Sequence, residues 1–345
     1  MIPALLRENL DRIQPLLDRA VASAITDNWA ARTKHSGGLG QIESLVVHYG
    51  LIHGTSTPQI QRKGLYVFTS DHGIVQEGLT AEAQDATALL SRQFLRGGSA
   101  AQVICREARI EPVLVDMGGR TEGEPGALNH RIADGAANIC HGPAMTEAQV
   151  NAALEAGLRL AESAAGRFDV VGLGQIGVGA SASASAMLSA MTGRDASETT
   201  GRAEGLDDAT LNRKVQAVRT AAARNHADTH SPYGALRCLG GLDIAAMTGF
   251  IVGAAARRLP VVVDGFVAGA AAMAARGLSP DCLDAVMFSS LSPDRAHAVL
   301  MKFLSVEPIL DLGLRESAGL GAALAIQLLE TSVRLYQEIS TREQA

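Results

Sequence analysis

Residues 168–191 read F-D-V-V-G-L-G-Q-I-G-V-G-A-S-A-S-A-S-A-M-L-S-A-M. The apolar residues at the start predict a short buried strand, Gly174, Gly177 and Gly179 predict a turn, and the small residues that follow predict a helix. Such a turn brings free backbone amides and the positive end of a helix dipole to one point, which commonly binds phosphate. The alternative is a tight turn that needs glycine only for positive φ, and the motif alone does not decide.

The composition limits the classes of protein to which the chain can belong. Of its 345 residues 47% are hydrophobic and only 3% aromatic, so Ala, Leu, Val and Ile build the core. A net charge of -6 without a Lys/Arg run argues against a nucleic-acid surface. The four cysteines form no C-x-x-C pair, which is typical of a reducing compartment. Charges interrupt the N-terminal apolar stretch, so we expect neither a secretion signal nor a membrane span, and a cytoplasmic protein.

Strands and helices alternate along the sequence. The predicted strands are residues 65–69, 112–116, 169–173, 260–264, 285–288 and 308–311. They are continuous apolar runs, which is typical of a parallel sheet with helices on both faces, so the fold class is α/β. The terminal helices have no strand to cover. We therefore predict a large domain over residues 60–312 and a small helical domain formed by residues 1–59 and 313–345.

Polar or small residues follow several of these strands directly. They are Asp71, Asp116, Gly174, Asp264 and Ser289. Ligands of open parallel sheets bind at this carboxyl edge. Each aspartate has an alternative role as the cap of the next helix. A single shared site explains the whole set better than unrelated caps do, so we expect a ligand cleft there.

Further motifs follow one another in a fixed order. They are D-H-G-I-V-Q-E-G at 71–78, P-A-M-T at 143–146, G-R-A-E-G-L-D-D at 201–208, G-G-L-D-I-A-A-M at 240–247 and D-G-F at 264–266. Together they resemble the nicotinate-nucleotide–dimethylbenzimidazole phosphoribosyltransferases of cobalamin lower-ligand synthesis, over nearly the whole chain. The resemblance implies a homodimer with a Rossmann-like sheet and a small domain built from both termini. It also implies a pentosyltransferase that moves 5-phosphoribose from nicotinate mononucleotide to a benzimidazole nitrogen, giving an α-riboside without a metal or other cofactor.

The resemblance also assigns site residues. It implies that the loop from Gly174 to Gly179, with Gly177, Ser181 and Lys214, holds the ribose phosphate. It places Gln76 and Gln84 along the acceptor pocket. It places Asp264 and Ser289 at the strand edge near the nucleotide.

Two of the departures from the family pattern remove carboxylates. The motif R-L-G-E-G-T-G-A reads R-E-S-A-G-L-G-A at 315–322, so Ala318 replaces the glutamate expected to act as general base. Gln175 replaces a second carboxylate, and we predict that Gln175 and Ala318 both contact the substrates. We predict that Glu316, Asp71 or Asp243 removes the proton instead, or that the acceptor is a different heteroaromatic compound. Because the pyridinium leaving group is already activated, losing the glutamate should slow benzimidazole transfer and leave donor binding intact.

Two other functions stay open from the sequence. The chain could be a catalytically weak paralogue that forms a heterodimer with an intact homologue. An NAD-dependent dehydrogenase is disfavoured, because no acidic residue ends a strand at the expected distance after the glycine loop. His72 is also ambiguous, since a hydrogen-bonded structural histidine and an acid–base residue both fit.

Overall fold

The computed structural model of the protein describes residues 2–80, 85–202 and 205–342. Within these residues the strands are β1 (Lys63–Ser70), β2 (Ile110–Gly118), β3 (Leu128–Asn129), β4 (Val170–Ile176), β5 (Val261–Val263), β6 (Val286–Ser290) and β7 (Pro308–Leu310). The helices are α1 (Ala4–Arg12), α2 (Arg19–Ala31), α3 (Gln41–His53), α4 (Ala86–Leu95), α5 (Ala100–Ala108), α6 (Glu147–Ala165), α7 (Ala180–Thr192), α8 (Ala196–Thr199), α9 (Asp208–Arg224), α10 (Pro232–Leu239), α11 (Leu242–Ala255), α12 (Gly265–Leu278), α13 (Arg295–Leu304) and α14 (Leu320–Glu338).

The strands form one parallel sheet in the order β3-β2-β1-β4-β5-β6-β7. The predicted α/β class and parallel sheet are confirmed. All eight residues of β1 and all seven of β4 are buried, as their unbroken apolar runs indicate. The chain runs outward from β1 through β2 to β3, then returns to β4 on the other side of β1. The direction of strand addition therefore reverses between β1 and β4, which is where doubly wound sheets bind ligands.

The largest helix contact in the core lies between α6 and α11. Every residue of α11 is buried, and all of them except Asp243 and Thr248 are apolar or glycine. The helices approach so closely that a Cβ added at Gly157 would lie 1.9 Å from the carbonyl oxygen of Ala246. Helix α6 begins at Glu147, because its N-cap residue Thr146 forms a capping box with Gln149.

The terminal helices pack on the body of the protein and on each other. Helix α14 buries an apolar face against the sheet, and a Cβ added at Gly172 of β4 would meet Ala322 and Ile326. The ring of Tyr336 packs edge-on against Trp29 of α2 at 5.1 Å. These contacts tie α14 to both the sheet and α2. The division into residues 60–312 and a small terminal domain stays a prediction. Among the described helices, none is both long and apolar enough to cross a membrane.

Candidate active site

A cleft of about 580 Å³ opens at the carboxyl edge of the sheet. Its walls come from segments far apart in sequence: the residues after β1, the end of β4 with the first turn of α7, the start of α9, the loop after β6 and the loop before α14. Segments that follow β1 and β4 both reach it, so it lies at the reversal point of the sheet. A cleft is therefore present at the edge that the strand-end residues indicated, but none of Asp71, Asp116, Gly174, Asp264 and Ser289 is among the residues that line it.

The glycine loop forms one wall of this cleft. Gly179 is the N-cap of α7 and has a φ of +89°, a conformation that favours glycine. Gly177 lies against β1, where an added Cβ would be 2.3 Å from the carbonyl oxygen of Ser70. Close packing explains the glycine at 177, and positive φ explains the glycine at 179. The two glycines also leave the N-terminus of α7 open to the cleft beside Ser181 and Ala182. The first-turn amides and the helix dipole favour an anion at this point.

Lys214 brings a positive charge to the same point. It is 3% exposed, and its Nζ donates hydrogen bonds to Ser181 Oγ at 3.0 Å and to the carbonyl oxygen of Gly201 at 3.2 Å. Burial lowers the pKa of Lys214 to about 8, an effect that the nearby Asp294 carboxylate opposes. Asp207 caps α9 by accepting from the Thr210 amide at 2.7 Å, which holds the helix that carries the lysine. A buried ammonium with two neutral acceptors is suited to an anionic ligand.

The loop before α14 places Glu316 on the wall of the same cleft, between Arg315 and Ser317. The backbone amide of Gln175 in β4 donates to the Ser317 carbonyl oxygen at 2.9 Å, which fixes the loop to the strand. Gly174 allows the loop to cross the strand, since an added Cβ would lie 2.5 Å from the Gly319 nitrogen. The glycine at 174 is therefore required by packing and lies outside the set that lines the cleft.

Asp264 and Ser289 are buried behind the cleft wall, and the partly exposed Ala318 is not among the residues that line the cleft. The backbone of Ala318 packs against Gly174, where an added Cβ would be 2.8 Å from its carbonyl carbon. Asp264 is 2% exposed and accepts hydrogen bonds from Ser289 Oγ at 2.6 Å and from the Gly321 amide at 3.1 Å. Burial raises the pKa of Asp264 to about 6, against the opposing effect of these hydrogen bonds. The carboxyl group thus anchors the N-terminus of α14 and the Glu316 loop.

A buried polar cluster supports the wall beside Gln175. Its Nε2 donates to Asp243 Oδ2 at 2.8 Å, and His72 Nε2 lies 3.1 Å from the same oxygen. His72 Nδ1 is 3.0 Å from Ser183 Oγ of α7. His72 and Asp243 are 1% and 0% exposed and do not line the cleft, whereas Gln175 does. The geometry thus makes His72 a hydrogen-bonded buried residue and places Asp243 behind the wall.

The remaining predicted residues lie away from the cleft wall or outside the described residues. Asp71 accepts from the Arg120 amide at 2.8 Å, next to β2. Gln76 is exposed and its Oε1 is 3.4 Å from Asn138 Nδ2. Gln84 lies outside the described residues. Of the three predicted bases, Glu316 is the one that lines the cleft.

Several cleft residues were not singled out from the sequence. Phe266 and Asp294 follow β5 and β6 and line the cleft, so the strand-end rule that selected Asp264 and Ser289 could also have found them. Arg315 stands in the quoted motif but was given no role. In the described part of the chain, no group of three or more His, Cys, Asp or Glu side chains is placed to hold a metal ion.

Comparison with known proteins identifies the family. A family model described as phosphoribosyltransferase matches residues 14–345. The chain belongs to this phosphoribosyltransferase family. The nicotinate-nucleotide–dimethylbenzimidazole phosphoribosyltransferase of Desulforudis audaxviator is 37% identical over 343 residues, 99% of this chain and 97% of that protein. The enzyme of the same name from Ralstonia nicotianae is 38% identical over 329 residues, 94% of this chain and 93% of that protein.

The solved structures agree. The crystal structure of CobT from Thermus thermophilus is 30% identical, has a TM-score of 0.89 and covers 94% of this chain and 98% of that one. The resemblance read from the motifs is confirmed, and so is the assignment as a phosphoribosyltransferase. Family membership favours the transferase over both the dehydrogenase and the catalytically weak paralogue.

Proposed function

We propose that this phosphoribosyltransferase moves the 5-phosphoribosyl group of nicotinate mononucleotide to a ring nitrogen of a benzimidazole-like heteroaromatic acceptor. The products are an α-riboside phosphate and nicotinate. The relatives' names point to these substrates. The observation that carries the proposal is the meeting of the α7 N-terminus, Lys214 and Glu316 in one cleft.

The 5′-phosphate binds at the α7 N-terminus. Backbone amides at the N-terminus of α7 donate hydrogen bonds, the Ser181 hydroxyl adds a further donor, and Lys214 supplies a charge. The Val178 amide takes no part, because it already donates to Thr87 Oγ1 at 3.1 Å. A bound dianion gives the buried Lys214 ammonium the counter-charge that its two neutral acceptors do not provide. Holding the phosphate fixes the ribose C1′ relative to the opposite wall of the cleft.

The chemical step breaks the bond between C1′ and the nicotinate ring nitrogen, and forms a bond from C1′ to the acceptor nitrogen on the opposite face. The bonding electrons leave with nicotinate and neutralise its pyridinium nitrogen. The acceptor attacks with the lone pair of its unprotonated nitrogen, and its other nitrogen then loses a proton. Since the donor is already activated, alignment of the two substrates is the main contribution of the protein.

Glu316 is the proposed base for that proton. It lines the cleft, whereas Asp71 and Asp243 are not among the lining residues. Apolar residues on the cleft wall, among them Leu79, Leu206 and Phe266, suit the flat face of a heteroaromatic acceptor. Gln76 and Gln84 stay as predicted neighbours of the acceptor, and a homodimer stays the predicted assembly.

Mass spectrometry tests the proposed reaction. The protein is incubated with nicotinate mononucleotide and a panel of benzimidazoles, other azoles, purines, phenols and thiols. We expect a riboside phosphate of at least one azole together with free nicotinate. If no acceptor gains a phosphoribosyl group and nicotinate is not released, the proposal is wrong.

Substitution of Glu316 tests the base. Glu316→Gln should lower turnover of a benzimidazole by about 10²–10⁴-fold, because a positioned base typically contributes that much, and should leave donor affinity unchanged. The exposed Glu307→Gln is the matched control. Unchanged turnover in Glu316→Gln would exclude this residue as the base.

A further inference from the structure

The side-chain amide of Gln175 is held in one orientation from behind the cleft wall. Its Nε2 donates to Asp243 Oδ2 at 2.8 Å, and only the nitrogen of an amide can donate. Among residues 2–80, 85–202 and 205–342, no protein group donates a hydrogen bond to its Oε1. Because Gln175 lines the cleft, Oε1 is the acceptor that this amide has left for a ligand, beside the second hydrogen of Nε2.

The surrounding residues oppose a flip of this amide. Asp243 also accepts from the Ile244 amide at 2.8 Å and pairs with His72 Nε2 at 3.1 Å. A flipped amide would place Oε1 against a carboxylate oxygen in a buried site, where two acceptors repel. His72 is itself fixed by Ser183 and by Gly241, where an added Cβ would lie 2.3 Å from His72 Cε1. None of these supporting residues lines the cleft.

We infer that Gln175 determines specificity by accepting a hydrogen bond from a ring hydroxyl of the pentose, and that Asp243 and His72 are positioning residues that act through it. The choice of a phosphorylated pentose as the ligand rests on the proposed function. Gly177, where the phosphate loop enters the cleft, is two residues beyond Gln175. The pentose ring is one carbon from its 5-phosphate, so a phosphate at α7 brings the ring hydroxyls beside Gln175. A sugar without the donor hydroxyl leaves Oε1 unpaired.

Calorimetric titration with sugar phosphates tests the inference without requiring turnover. The probes are ribose 5-phosphate, its 2-deoxy and 3-deoxy analogues, and the matching deoxyfluoro analogues, whose fluorine cannot donate. We expect ribose 5-phosphate to bind about tenfold more tightly than one deoxy analogue, and the matching fluoro analogue to bind as weakly. Gln175→Leu should lose this preference, while the exposed Gln93→Leu keeps it.

A double variant tests the positioning role. Gln175→Glu combined with Asp243→Asn exchanges amide and carboxylate, so the Asn amide donates and a glutamate oxygen still faces the cleft. We expect the ribose preference to persist, with weaker overall affinity because the glutamate repels phosphate. A loss of the preference in a folded double variant would overturn the role of Asp243.

The other outcomes separate the two proposals. If wild type binds ribose 5-phosphate and both deoxy analogues equally, or if Gln175→Leu keeps the preference, the inference about Gln175 is wrong while the phosphoribosyl proposal stands. A fluoro analogue that binds as tightly as ribose 5-phosphate would show that Nε2, and not Oε1, faces the ligand. If no sugar phosphate or nicotinate mononucleotide binds, both proposals fail.

Discussion

Replacing Lys214 with methionine should separate donor binding from stability. The Lys214 ammonium is 3% exposed, and burial lowers its pKa from 10.5 to about 8. Since the pKa in the folded state lies below the ordinary value, the charge destabilises the fold at pH values below about 8. The difference between the two pKa values corresponds to a penalty of about 3 kcal/mol for burying the charge. The hydrogen bonds to Ser181 and Gly201, which the variant loses, offset this penalty by about 1 kcal/mol each. Lys214→Met should therefore leave the free protein as stable as wild type or more stable.

Donor affinity should change in the opposite direction. A charge-assisted hydrogen bond from a lysine to phosphate contributes about 1.5–3 kcal/mol, so nicotinate mononucleotide should bind Lys214→Met about 10- to 150-fold more weakly. Calorimetric titration gives the affinity, and thermal unfolding of the free protein gives the stability. The exposed Lys302→Met removes the same net charge elsewhere and should alter neither result.

Two results would refute this reasoning. Wild-type affinity in Lys214→Met would show that the lysine does not hold the phosphate. A large loss of stability in the free variant would show that the buried ammonium stabilises the fold, which contradicts the sign derived from its lowered pKa.

Three further changes test other parts of the site. Affinity for nicotinate mononucleotide should fall as pH rises through about 8, because Lys214 loses its proton there in the free protein. Calorimetric titrations at several pH values should find no such fall in Lys214→Met. Gly174→Ala should lower the free energy of unfolding by about 1–3 kcal/mol, because its Cβ would lie 2.5 Å from the Gly319 nitrogen, and unchanged thermal unfolding would contradict that packing. Adding Ala318→Glu to the Glu316→Gln variant should raise benzimidazole turnover by about tenfold, because the two positions are neighbours on one loop. If steady-state assays show no recovery, a glutamate at position 318 cannot remove the proton that Glu316 removes.

Local patterns in the sequence predicted most of the fold. The apolar run before Gly174 predicts β4, and the small residues after Gly179 predict α7, because burial and backbone conformation are local requirements. Strand β3 was not predicted, since its two residues, Leu128 and Asn129, are too few to show a period and are both exposed. It lies inside residues 120–145, where the sequence shows no clear periodicity.

The site was harder to predict, because it depends on which side chains reach the cleft. Gly177 and Gly179 follow from the strand–turn–helix pattern alone, whereas Ser181 was named through the family resemblance. Lys214 and Glu316 were named through the family resemblance, and the structure brings both to the cleft. Asp243 begins α11, whose complete burial depends on α6 and α12, so no local pattern shows that its carboxylate lies behind the wall. A residue's position at the end of a strand shows at which edge of the sheet it lies. It does not show whether the side chain lines the cleft or supports another residue that does.

A crystal structure of the protein with bound nicotinate mononucleotide is the most direct test of the phosphate site. We predict that the phosphate accepts hydrogen bonds from the first-turn amides of α7 and from Lys214 Nζ, with C1′ directed toward the wall that carries Glu316. A donor bound with its phosphate away from α7, or held outside the cleft in a protein that still turns it over, would contradict the mechanism.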